Sequence, residues 1–255
     1  MSNSTPSTSV VMNPVAIITG GTQGLGFALA KELLRQGFAL SICARTNRDV
    51  EEATQKLSAY GPVVSFVGDI ADDDVSRELV EGTMRAFGRI DAVVNNASTL
   101  GTLPMPGVLD STPENDHAVF SVNTLAPLQL LRKAAPHLLN ARHGLVVGLS
   151  SDAATFGYPS WGIYGASKAA LDLLHKTLAA ELSATGVHVY SVDPGDMDTA
   201  MHRAAVPDAS GLADPARVAC GISELFAPLT GDRPFPFSSG ARIRVTDAFA
   251  LEVQA

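Results

Sequence analysis

The 255-residue chain reads as an α/β protein: a doubly wound parallel sheet with helices on both faces, in a single domain. Three observations carry that reading. Short runs rich in Val and Ile are apolar throughout instead of alternating, as in strands buried on both faces. Segments with helical spacing separate them, and steady strand–helix alternation implies a parallel sheet. A glycine-rich stretch, with Gly20, Gly24 and Gly26, joins the first strand to the first helix. At 46% hydrophobic residues, a chain of this length can bury one sizeable core.

The elements follow in order. Residues 15–19 form the first strand, and the run after the glycine turn has helical periodicity over 24–36. Strands are then expected at 39–43, 63–68, 90–95, 144–149 and 187–192. Helices fall between them at 48–60, 72–87, 113–140, 161–185 and 214–227. Asp72, Asp73 and Asp74 complement the start of the third helix, while Asp196 and Asp198 read as a turn and a helix cap. Residues 1–12 are rich in Ser, Thr and Asn and lack the basic start and apolar core of a signal peptide. They are expected to be a flexible tail before a domain spanning 13–255, in a cytoplasmic protein.

Composition excludes several function classes. A net charge of −8 leaves no basic stripe for nucleic acid. No apolar run is long enough for a membrane span. Cys43 and Cys220 read as buried free thiols in a reducing compartment. The six histidines have no ligand spacing, so no metal is expected.

In an open parallel sheet, ligands bind beyond the carboxyl ends of the strands. Gly20, Asn95, Ser151 and Pro194 all fall there. Strand, glycine turn and helix together direct backbone N–H groups and a helix N-terminus at a pyrophosphate. Tyr164 and Lys168 stand one helical turn apart. An ammonium beside a phenol lowers its pKa from about 10. A shift of about 3 units would correspond to roughly 4 kcal/mol, more than an exposed pair supplies, so this site should be partly desolvated.

Jointly these motifs resemble the short single-domain branch of the short-chain dehydrogenase/reductase superfamily, with its Rossmann-type fold. Thr19, Gly20, Gly24 and Gly26 match its glycine spacing. Asn95, Asn96, Ala97 and Ser98 match its Asn-Asn-Ala-Gly stretch, the last glycine being replaced. The resemblance places the catalytic set on Asn123, Ser151, Tyr164 and Lys168. Ser151 and Tyr164 would hold the carbonyl oxygen, Tyr164 would transfer the proton, and Lys168 would tune it and bond the nicotinamide ribose. Asn123 would hold a water that relays protons to Lys168. The cofactor would lie on Gly20, Thr22, Gln23, Gly24, Leu25 and Gly26, on Asp69 and Ile70 near the adenine, and on Asn96 and Ala97. Tyr164, Lys168, Pro194, Gly195 and Thr199 would surround the nicotinamide, with Thr199 on its carboxamide.

Cofactor choice is read at the end of the second strand. A carboxylate there suits NAD, whereas Ala44 followed by Arg45 suits a 2′-phosphate, with Thr46 or Asn47 assisting. NADP(H) is therefore expected over NAD(H), with selectivity tempered because Gln23 stands where NADP-selective relatives often carry a second basic residue. The implied function is interconversion of a carbonyl and an alcohol by hydride transfer, as a reductase. Pocket walls are expected from 100–105, 153–161 and 197–206, including Leu103, Met105, Phe156, Tyr158, Trp161, Met197 and Met201. That lining favours a neutral, apolar or aromatic small-molecule substrate. His202 could read a polar group of the substrate, but it reads more readily as a solvated loop residue. The resemblance also implies a homodimer through the 113–140 and 161–185 helices, or a homotetramer, although the stretch Ser239–Val245, which resembles the family's final strand, lacks the usual Asp-Gly-Gly after it. An NAD-linked alcohol dehydrogenase, a non-catalytic NADP sensor and an epimerase or dehydratase are the other functions this fold could serve.

Overall fold

A computed structural model describes residues 13–254; the expected tail, 1–12, lies outside the described residues. One sheet of eight strands runs in the order β3-β2-β1-β4-β5-β6-β7-β8. The strands are β1 (Val15–Thr19), β2 (Ala39–Ala44), β3 (Val63–Val67), β4 (Ala92–Asn95), β5 (Gly144–Leu149), β6 (Val187–Asp193), β7 (Arg242–Val245) and β8 (Leu251–Val253). All neighbours are parallel except β8, which turns back antiparallel on β7. Strand order reverses between β1 and β4, which opens a crevice beyond their carboxyl ends.

The helices are α1 (Gly24–Arg35), α2 (Asn47–Leu57), α3 (Asp73–Phe87), α4 (Pro113–Phe120), α5 (Ala126–Asn140), α6 (Gly162–Glu181), α7 (Ala200–Ala205), α8 (Pro215–Ser223) and α9 (Ala227–Thr230). Along β1 the pleat sends Ala16 and Ile18 to one face and Ile17 to the other. The first face packs against Leu29 and Leu33 of α1 and Val218 and Ile222 of α8. The second packs against Leu79 of α3 and Leu130 and Leu131 of α5. Each fully buried Leu or Ile contributes about 1.5–3 kcal/mol, so these two layers hold the strands level with one another.

Four expectations need correction. The helix expected over 113–140 is broken by a π-helical turn, Ser121–Leu125, between α4 and α5. Pro127, in the first turn of α5, has no N–H to give to the Asn123 carbonyl four residues back, so one backbone bond is missing where the π-helical turn meets α5, although Pro136 sits within α5 without breaking it. The expected helix 214–227 ends at Ser223, and a 3-10 turn, Glu224–Phe226, leads into α9 with Pro228 in its first turn. Cys220 is exposed, since it lies on the outer side of α8, while Cys43 is buried in β2. Finally, α7 and β8 are additions that short apolar patterning does not announce. The C-terminal segment packs Phe235 on His188 and Phe237 on Tyr190, whose hydroxyl donates to the Phe237 carbonyl at 2.6 Å.

Candidate active site

The crevice holds two adjoining cavities. The first, of about 400 Å³, lies over the glycine turn between β1 and α1. Gly20 has φ +66°, open to glycine at little cost. A Cβ on Gly26 would stand 2.3 Å from the Gly20 carbonyl and 2.5 Å from Asn96 Nδ2, so only glycine lets the helix start this close to the strand. Gln23 precedes α1 without a side-chain cap, leaving the first N–H groups of the helix unclaimed by it. Bare glycine backbone and an uncapped helix start form a cradle that fits the pyrophosphate of a dinucleotide. Thr19 Oγ ties the floor together by accepting from the N–H groups of Asn96 and Ala97, both at 3.0 Å. The Asn96 side chain donates to the carbonyls of Thr19 and Gly20, so it holds the turn in place.

The residues expected to hold the cofactor line this cavity except Gly195, which lines the adjoining one, and Asn47, which lines neither. Arg45 and Thr46 stand at its rim, exposed, with Asp49 beside them. Asp69 lines it and also accepts from the Ala71 N–H at 3.0 Å, closing its own turn. Thr199 caps α7 by accepting from the His202 N–H at 3.2 Å, so the cap is Thr199 and not Asp198, which pairs with Arg203.

The second cavity, of about 510 Å³, shares Ser150, Tyr164, Pro194, Met197, Thr199 and Met201 with the first. Ser151 opens onto it. Leu100, Tyr158, Trp161 and Met197 furnish walls as expected, but Leu103, Met105 and Phe156 do not. Leu103 and Phe156 point to solvent, and Met105 packs behind the wall against the cluster of Leu100, Ala153 and Tyr164. His202 lines the cavity, half-buried on α7 with Nδ1 3.7 Å from Asp196 Oδ1, and is not a solvated loop residue. Asp152 and Asp196 add carboxylates that apolar patterning did not foretell.

Tyr164 and Lys168 meet on the inner side of α6, both buried. Lys168 Nζ lies 5.7 Å from the centre of the Tyr164 ring and donates to the Leu149 carbonyl at 2.7 Å. Burial raises the Tyr164 phenol to about 12, against the lowering effect of the Ser98 and Ser151 hydroxyls. Burial likewise pushes Lys168 down to about 8, with Asp172 opposing. The expected lowering of the phenol by the lysine is not found: burial dominates at Tyr164, and the groups that lower it are the Ser98 and Ser151 hydroxyls.

Asn123 sits in the π-helical turn with its side chain fully engaged. It accepts from Ser98 Oγ at 3.1 Å and the Thr99 N–H at 2.8 Å, and donates to the Thr99 carbonyl and Ser167 Oγ. It lines neither cavity, so the structure gives it a bracing position behind Ser98. Thr19 and Ser98 were named as motif positions but without these contacts, whereas Ser167 and Asp172 carried no sequence signal and become neighbours through folding alone.

Comparison with known proteins agrees with this geometry. Residues 14–210 match the family model described as short chain dehydrogenase. Tropinone reductase-like 3 of Erythroxylum coca is 37% identical over 188 residues, covering 72% of this chain and 70% of that one. A 3alpha-hydroxysteroid dehydrogenase of Mediterraneibacter gnavus is 31% identical over 203 residues, covering 78% and 80%. A solved short chain dehydrogenase from Burkholderia cenocepacia, in complex with NADP, superposes with TM-score 0.80 at 26% identity over 91% of this chain and 96% of that one. The glycine cradle, the buried Tyr164–Lys168 pair and these matches lead to one conclusion: the chain belongs to the short-chain dehydrogenase/reductase superfamily, as an oxidoreductase acting on CH–OH and C=O groups.

Proposed function

We propose that the protein is an NADP(H)-dependent carbonyl reductase acting on a neutral, largely apolar or aromatic ketone or aldehyde. The observation that carries this reading is the place of Tyr164, on the shared wall between a dinucleotide cradle and a second cavity walled by Leu100, Trp161 and Met197. A bound reduced nicotinamide supplies the hydride. Tyr164 and Ser151 then present hydroxyls to the carbonyl oxygen, where negative charge develops. With its phenol pushed up to about 12, Tyr164 stays protonated at neutral pH and has a proton to give to the forming alkoxide. Lys168, fixed by the Leu149 carbonyl, would bond the nicotinamide ribose, and Thr199 the carboxamide. Asn123 contributes by bracing Ser98 and Thr99, with any proton-relay water left to its main chain.

NADP over NAD rests on Arg45, which makes no ion pair among the described residues and stands at the cradle's rim beside the start of α2. Thr46 precedes that helix without a side-chain cap, adding an unclaimed helix start for a 2′-phosphate. The NADP complex of the Burkholderia cenocepacia protein is consistent with this choice. Asp152 and Asp196 on the second cavity disfavour anionic substrates, and the apolar walls suit ring ketones of the kind named in the tropinone reductase-like and hydroxysteroid dehydrogenase relatives. Exposed Leu125 and Leu173, on the π-helical turn and α6, fit a homodimer through those helices.

Consumption of NADPH and NADH, followed side by side on a panel of apolar and aromatic ketones and aldehydes, tests the reading. Turnover with NADPH favoured is expected. Binding of both nucleotides with no turnover in either direction would instead favour a nucleotide sensor.

A further inference from the structure

Beyond residue 210 the family match ends, yet the strand that follows reaches back to the active site. Arg242, the first residue of β7, is mostly buried, and its guanidinium touches three separate elements. One nitrogen donates to the Ser151 carbonyl at 2.6 Å, on the loop after β5. Another donates to Asp172 Oδ2 at 2.9 Å, one turn beyond Lys168 on α6. The side chain also stands 3.7 Å from Asp193 Oδ2, at the end of β6. Each of these anchors is itself linked to functional backbone. Asp172 Oδ2 accepts from Ser150 Oγ at 2.7 Å, and Asp193 Oδ1 accepts from the Gly195 N–H at 3.1 Å.

Resting on the carbonyl-reductase reading, we propose that Arg242 is a positioning residue for this site. Its planar fork locks the Ser151 loop, the helix of Tyr164 and Lys168, and the Pro194–Gly195 turn into one frame. Guanidinium geometry is what the job requires: several donors diverge in one plane, so one side chain can serve a carbonyl and a carboxylate while facing a second carboxylate. A lysine there could keep the charge but not the simultaneous bonds. Asp172 Oδ1 is buried with no partner, so Oδ2 alone ties this carboxylate to the frame. Without Arg242, the Asp172 carboxylate would lose its hydrogen-bonded cation and the buried Asp193 carboxylate the guanidinium that faces it.

Full-length Arg242→Gln, Arg242→Lys and Arg244→Ala variants test this, Arg244 being the exposed neighbour on the same strand. The readouts are kcat and KM for NADPH and carbonyl, and amide hydrogen exchange by segment. Arg242→Gln should lose about tenfold to hundredfold in kcat, the range of a lost charged hydrogen bond, with KM for NADPH little changed. Exchange should quicken at 150–154 and 193–196 but not in α3. Arg242→Lys should recover part of kcat, and Arg244→Ala should match the parent. Wild-type kcat and wild-type exchange in Arg242→Gln would overturn the proposal, as would an even rise in exchange across the chain. Should Arg242→Gln fail to fold, Arg242→Lys decides: quickened exchange confined to the two segments supports the frame, and unchanged exchange overturns it. If the parent enzyme turns over no carbonyl, the reductase reading fails separately, and the exchange pattern still judges the frame.

Discussion

Replacing Arg45 by Ala should separate the two nucleotides. Two cations line the nucleotide cavity, Arg45 and Lys168, and Lys168 lies deep within it, held by the Leu149 carbonyl. A 2′-phosphate at the end of β2 therefore has one guanidinium to meet. A hydrogen bond to a charged group contributes about 1.5–3 kcal/mol. Exposure of Arg45, and the Asp49 carboxylate on the same rim, place this one at the low end, about 1.5–2 kcal/mol. At 1.4 kcal/mol per factor of ten, the dissociation constant for NADPH should rise roughly 10- to 30-fold, and that for NADH less than about threefold. Titration of each reduced nucleotide by its fluorescence, at low and high salt, measures both; the NADPH penalty should shrink as salt screens the contact. Asp49→Asn should tighten NADPH by about twofold to fivefold, by removing a like charge from the phosphate's surroundings. Equal losses for the two nucleotides in Arg45→Ala would refute the argument, because only one of them carries the phosphate.

Two further outcomes follow from buried groups. Tyr164→Phe keeps the ring that packs edge-on against Trp161, so folding and NADPH binding should persist while turnover falls at least about a hundredfold; steady-state rates and nucleotide titration check both halves. His175 is held neutral by burial, its pKa lowered from 6.5 to about 4. The unfolded chain takes up the proton first, so stability is complete above about pH 6.5 and falls as pH drops toward 4. Between pH 7.5 and 5 this one group should remove about 2 kcal/mol, and His175→Gln should flatten that part of a urea-denaturation profile; an unaltered slope would contradict it.

Much of the site was legible because its chemistry depends on local spacing. Gly20, Gly24 and Gly26 lie within one turn of chain, and Tyr164 and Lys168 within one turn of helix, so neighbours in sequence are neighbours in space. The apolar strands were equally plain, since a doubly covered sheet buries every position of Val15–Thr19. Boundaries slipped where backbone hydrogen bonding overrode side-chain pattern. Part of one expected helix is a π-helical turn that meets α5 beside Pro127, and Thr199 takes the cap expected of Asp198. Leu103 and Phe156 look like pocket residues by type, but type does not fix which way a loop faces, and both point to solvent.

By itself the sequence determined the alternating α/β architecture, and it pointed to the proposed nucleotide cradle and to Tyr164 and Lys168 as the proposed proton-transferring pair, each resting on residues a few positions apart. The tertiary structure alone decided the electrostatic state of that pair, because desolvation depends on everything packed around it: the phenol goes up and the ammonium down. It alone placed Asn123 behind Ser98, put His202 in the second cavity, and brought Arg242 across 91 residues to the Ser151 carbonyl. Contacts between distant segments leave no periodic trace in a chain, because the sheet order that creates them is set by the packing of whole layers.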